Sequence, residues 1–166
     1  LLNSEDQEIR AACAIAIIQL ESGSKEQANS IINEMLNSDN EIIQATALKR
    51  LIYNDSILTQ EKLIQFLHND GHIISNVALT IAETLNDDKL IPAIISNLDL
   101  PKTSLQARQT LSKYPDEIIL NQFESLLSSD DTPRRLCLGT IRALREHPDD
   151  RSIGLLMSQL KSTDQD

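Results

Sequence analysis

Apolar residues along this chain fall three and four apart rather than alternately, and the stripes they form repeat. Leu36, Leu67, Leu98, Leu127 and Leu160 recur at spacings of 31, 31, 29 and 33. Four residues before each stands another apolar residue: Ile32, Leu63, Ile94, Phe123 and Leu156. A pair at i and i+4, repeated in register, marks the buried stripe of one helix per repeat. A second helix follows each. Its clearest copies run from Ile9 to Ile17 and from Pro133 to Ile141, four periods of 31 apart, and match at Arg, Cys and Ile. Ile43, Ala47 and Leu51 take the corresponding places in one intervening copy, and Ile74, Ala78 and Ala82 in the next. The copy at Ser104, Ala107 and Leu111 is degraded. No segment alternates as a strand does, so the class is all-α.

Punctuation keeps the same period. Asn37-Ser38-Asp39-Asn40, His68-Asn69-Asp70-Gly71, Leu98-Asp99-Leu100-Pro101 and Ser128-Ser129-Asp130-Asp131 stand between the two helices of successive copies. Side chains of Asp, Asn and Ser accept the free N–H groups that open a helix. Ser4 with Gln7, Ser24 with Gln27, and Ser38 with Glu41 have the spacing of capping boxes, and Thr132-Pro133 reads as an N-cap with proline at the first helical position. In the first helix, over 9–20, the expected stripe is Ile9, Cys13, Ala16, Ile17 and Leu20, with Ile15 and Ile18 off it. A helix apolar all round is predicted to be buried. Leu1-Leu2 reads as the tail of an earlier first helix, which makes the chain a segment of a longer array.

A helix ending Leu-Leu, an Asp-containing turn and then Ile-Arg-x-Ala-Ala resembles the HEAT repeat in its short form of about 31 residues, as found in bilin-lyase-like HEAT proteins. The resemblance covers essentially the whole chain. It implies a right-handed α-solenoid, an armadillo-like α–α superhelix, of about five helical hairpins and ten helices. Residues 1–166 would then be one array, with approximate repeats 1–22, 23–55, 56–86, 87–115, 116–147 and a partial 148–166. The Trp, Gly and Tyr anchors of tetratricopeptide repeats and the Thr-Pro-Leu-His of ankyrin repeats do not occur.

Composition narrows the function classes. Aromatics are only 2% (Tyr53, Phe66, Tyr114 and Phe123), which is poor material for stacking bases, sugars or flavins. Four glycines are too few for phosphate-cradling loops. A net charge of −10 opposes general nucleic-acid affinity, so no nucleic-acid partner is expected. No apolar run reaches the roughly 18 to 20 residues of a membrane span. Two cysteines, Cys13 and Cys137, make no disulfide framework, and both fall on expected core stripes. A cytoplasmic setting is the default reading.

The charge is unevenly placed. Before residue 87 there are twelve acids against five bases; from 87 onward there are thirteen against ten. Within that second part Arg134, Arg135, Arg142 and Arg145 occur with no acid between 132 and 145. At 100° per residue they share one arc of about 100°, with Leu138 among them, opposite Leu136, Cys137, Thr140 and Leu144. The arginines are therefore predicted to face solvent. The HEAT resemblance implies that second helices line a concave face, which would place this patch in a groove that Arg108 and Lys113 extend. Such a patch suits an acidic peptide, carboxylate or phosphate, because the planar guanidinium binds these through two parallel hydrogen bonds. The plainer alternative pairs the arginines with Asp130, Asp131 and Asp99 of adjacent turns.

Other candidate chemistry is weaker. His68 and His72 have a metal-ligand spacing only if one helix carries both, and Asn69-Asp70-Gly71 between them is a turn. His147, before Pro148, has the place of a helix-end histidine interacting with the dipole. The acidic pairs Asp87-Asp88, Asp116-Glu117, Asp130-Asp131 and Asp149-Asp150 sit at helix starts, as caps do. No nucleophile–base order, nucleotide loop or zinc motif is present, so no catalytic residue, cofactor or metal is assigned. The expected role is a non-catalytic interaction or regulatory scaffold whose partner is a protein, an acidic peptide or another domain of the parent chain. Contacts would come from the second-helix face: Gln44, Arg50, Asn76, Glu83, Arg108 and the four arginines. The family resemblance also admits a bilin-lyase-like ligand-handling enzyme and a HEAT-like DNA-binding or DNA-repair protein. Both would draw on aromatic walls that this composition scarcely supplies.

Overall fold

The computed structural model describes residues 2–20, 25–52 and 57–162, with side chains to 160. Among these residues the chain is helical throughout, with no strand. Its contacts gather it into two compact units, Leu1–Ile81 and Ala82–Asp166.

The first unit contains α1 (Gln7–Gln19), α2 (Lys25–Leu36), α3 (Glu41–Arg50), α4 (Gln60–Leu67) and most of α5 (His72–Leu85). Residue Asn86, with φ of 49°, closes α5 in the left-handed conformation that asparagine tolerates. The second unit contains α6 (Ile91–Ile95), α7 (Ser104–Leu111), α8 (Asp116–Leu127), α9 (Arg134–Ala143) and α10 (Asp150–Ser162). Short 3₁₀ turns at Asp88–Leu90 and Ser96–Asp99 flank α6, and a third, Leu144–Glu146, extends α9.

Helix starts are capped one or two residues away from where the capping boxes place them. The carboxylate of Asp6, not Ser4, accepts the Glu8 and Ile9 N–H groups, while Ser4 accepts from Asp6. At α3 the cap is Asn40, accepting from Ile42; Ser38 accepts from Asn40. That releases Glu41, whose carboxylate accepts from the N–H groups of Ile73 and of Ile74 (3.1 Å) at the start of α5. Proline 133 itself occupies the cap position of α9, with no side-chain cap, so Thr132 is not the N-cap. Ser24 lies outside the described residues.

The repeated stripe is the core. Ile32, Leu63, Ile94 and Phe123 are buried, as are Leu36, Leu67, Leu98 and Leu127. In the second helices Ala47, Ala78, Ala107 and Thr140 are buried in register, with Leu51, Ala82, Leu111 and Leu144 four residues later. Burying one such leucine contributes on the order of 2 kcal/mol, so the register accounts for much of the cohesion of each unit.

Both ends of the two series depart from expectation. In α10 Leu160 is 64% exposed, whereas Leu127, its counterpart in α8, is 9% exposed. In α1 the expected stripe is on the wrong side: Ala11, Ala14, Ile15 and Ile18 are buried, while Ile9, Ala16 and Leu20 are exposed. Two alanines three apart let α1 approach α2 and α3 closely, and small volume outweighed the larger apolar residues in setting the face. Nor is α1 buried all round. Cys13 and Cys137 are half-buried free thiols rather than full core residues.

Candidate functional site

Helix α9 owes its orientation to one residue. A Cβ placed on Gly139 would lie 2.4 Å from the backbone oxygen of Leu98, so α9 rests on the 3₁₀ turn Ser96–Asp99 as closely as backbone allows. Gly139, Thr140, Ala143 and Leu144 form its buried side. The opposite arc carries Arg134, Arg135, Arg142 and Arg145, all exposed, with Leu138 exposed among them. Among the described residues none of these four guanidinium groups lies within 4.0 Å of a carboxylate. The alternative pairing with Asp130, Asp131 and Asp99 is therefore not made.

Arg108 behaves differently from its expected role as an extension of this patch. Its side chain is mostly covered and faces Glu146 at 3.9 Å. The pairing spans α7 and the turn after α9, two elements that the linear sequence does not bring together. Other second-helix residues are also engaged internally. Arg50 pairs with Glu8 at 3.1 Å, Gln44 donates to the Leu36 carbonyl, and Glu83 accepts from Gln106. Lys113 is exposed. So, of the residues expected to make partner contacts, the α9 arginines and Leu138 form one exposed cluster; Arg50 is exposed but paired. The sequence also left unremarked Leu105, which is exposed on α7, a helix packed against α9. Its spacing of 33 from Leu138 was the available signal.

Two polar groups at helix ends make contacts beyond those the sequence indicates: Tyr114, and His147, expected there only to interact with the helix dipole. His147 is buried; its Nδ1 lies 2.5 Å from Asp116 Oδ1, its ring packs edge-on against Phe123 at 6.1 Å, and its Nε2 is buried without a partner. One repeat earlier Tyr114 is buried in the corresponding place. Its hydroxyl donates to the Ala82 carbonyl at 3.1 Å and approaches that of Asp87 at 3.4 Å. Burial, and then the charges of Asp87 and Asp88, push the Tyr114 phenol well above its ordinary pKa. Tyr114-Pro115-Asp116-Glu117 and His147-Pro148-Asp149-Asp150 repeat at 33 residues, which was the sequence signal for both. Each joins residues about one period apart in the sequence.

His68 ends α4 and His72 begins α5, so no single helix carries both. Among the described residues no group of three His, Cys, Asp or Glu side chains is placed to hold a metal ion, and no helix is long and apolar enough to cross a membrane. An open polar cleft of 490 Å³ lies between the turns that follow α2 and α4 in the first unit, beside Glu41, Gln44 and Gln65. It holds no histidine or cysteine, and its Glu41 is occupied in capping α5. Comparison with protein-family models, with curated proteins and with solved structures found no match.

Proposed function

We propose that this chain is a non-catalytic interaction module, a HEAT-like right-handed α-solenoid that binds an acidic protein segment on the α9 face. Support for the array comes from hydrogen bonds that join residues one period apart. Glu41 reaches Ile74, Tyr114 reaches Ala82, His147 reaches Asp116, and Gln159 reaches the Leu127 carbonyl, over separations of 31 to 33 residues. Bonds of this spacing are what stacked hairpins make, because each copy touches mainly its neighbours.

The observation that carries the binding proposal is the set of four exposed, unpaired arginines around Leu138. An exposed guanidinium without a carboxylate partner keeps its donors free for a carboxylate, and Leu138 offers apolar contact in the middle. The chain's net charge of −10 works against a nucleic-acid polyanion and leaves a short acidic segment as the better fit.

A fluorescent glutamate-rich peptide with an apolar residue at its centre tests this by anisotropy. Binding that weakens with salt is expected, and the double variant Arg135→Glu, Arg142→Glu should lose at least about tenfold in affinity, or about 1.4 kcal/mol. Unchanged affinity in that variant, or tighter binding of duplex DNA than of the peptide, overturns the proposal.

A further inference from the structure

The open cleft between the turns after α2 and α4 lies within the first unit, and its lining has one chemical bias. Two amides on its walls have already committed their nitrogens. Asn37 Nδ2 donates to the Asn33 carbonyl at 2.8 Å and Gln44 Nε2 to that of Leu36 at 3.1 Å, so both amide oxygens remain as acceptors. Glu41 caps α5 through one carboxylate oxygen, Oε1, and keeps the other. Asp39 is exposed, and among the described residues no base lies within 4.0 Å of its carboxylate. No lysine, arginine or histidine lines the cleft, and half-buried Phe66 gives it an aromatic wall. Acceptors, negative charge and a π face together favour a cation that donates hydrogen bonds.

The adjoining cleft holds a guanidinium of the chain's own. It measures 440 Å³, shares the Asn37-Ser38-Asp39 wall, and contains Arg10 and Glu34, paired through both carboxylate oxygens at 3.2 Å. The same register one copy later is uncharged. Gln44 follows Ile43 as Arg10 follows Ile9, and Gln65 stands two residues before Leu67 as Glu34 does before Leu36. The cleft beside Gln44 and Gln65 thus repeats its neighbour without the cation, while Asp39 on the shared wall stays unpaired.

We infer that this cleft receives an arginine side chain from a basic segment of a partner protein. The guanidinium pairs with the Asp39 carboxylate, donates to the free amide oxygens of Asn37 and Gln44, and lies against Phe66. A planar fork of donors serves several acceptors at once, which the point charge of an ammonium does with less fixed geometry. Charge favours the same partner. Before residue 87 there are twelve acids against five bases, so the surroundings attract a cationic segment. The α9 arginines select the opposite charge, and either site can fail without the other.

Nuclear magnetic resonance titration of the 166-residue chain with the capped peptide Gly-Ser-Arg-Ser-Gly tests this. Saturable shifts are expected at the backbone amides of Ser38, Asp39 and Gly71, and they should weaken with salt. The same peptide with citrulline, which keeps the shape and loses the charge, should produce none. Asp39→Asn should weaken binding by at least about threefold, the loss of a charge-assisted bond. Asp39 is exposed, so helicity and the unfolding midpoint should be unchanged. Gln44→Arg restores the register of the adjoining cleft and should fill the site from within, abolishing binding in a chain that stays folded. Arg135→Glu with Arg142→Glu should bind as the unaltered chain does. No saturable shift, equal binding of the citrulline peptide, full affinity in Asp39→Asn or in Gln44→Arg, or loss of binding in the α9 variant each overturns the inference.

Discussion

Helices α8 and α10 carry the same pattern 33 residues apart, yet one is a core element and the other a half-open surface. Phe123 and Leu127 are buried in α8; Ile153 and Leu160 are exposed in α10. Their own apolar content does not explain this, since both helices present a regular apolar stripe. The difference is the neighbour: α9 packs on α8, and no described helix takes that place on α10. A helical apolar stripe is a demand for a partner helix, and α8 and α10 differ in whether a described neighbour meets it.

Glycine tests the contrast most sharply, because α9, the helix that packs on α8, and α10 answer one substitution with opposite signs. Gly139→Ala drives a methyl group into the Leu98 backbone and should destabilise by about 1–3 kcal/mol, the cost of overpacking. Gly154→Ala on α10 meets nothing within 4 Å and should stabilise by up to about 1 kcal/mol through helix propensity alone. Urea unfolding of the two variants checks both. Equal signs would mean that α9 is not held against the Leu98 turn as closely as described.

The clamp at Tyr114 gives a smaller effect with a pH signature. Tyr114→Phe removes the phenol's bond to the Ala82 carbonyl, which keeps the Asn86 N–H, and should cost about 1 kcal/mol near neutrality. A phenol whose folded pKa is raised holds its proton more tightly in the folded state. Its contribution is fully present below the unfolded value of about 10 and is lost as pH rises above that toward the higher folded value. The unaltered protein should therefore lose stability above about pH 10, and Tyr114→Phe should flatten that loss. Parallel pH profiles for the two would remove Tyr114 from the account.

How much of this was legible in the sequence follows from the range of each interaction. Leu36, Leu67, Leu98 and Leu127 were legible because a helical stripe is a local pattern. The α9 arc was legible for the same reason: Arg134 and Arg142 share a face by helix geometry alone. The face of α1 was misread because Ala11 and Ala14 offer little apolar area, although their small size decides how close two helices come. The caps shifted from Ser4 and Ser38 to Asp6 and Asn40 because several acceptors compete within each turn, and sequence spacing does not rank them. Arg108 with Glu146 and His147 with Asp116 were not legible. Each depends on tertiary proximity across more than thirty residues.

Peptide-resolved hydrogen exchange on the dilute chain measures most directly whether the same stripe is closed in α8 and open in α10. The account predicts that amides of α8 exchange slowly, near the rate of global unfolding, while those of α10 exchange far faster through local opening. Protection of α10 equal to that of α8 in the dilute monomer would contradict it.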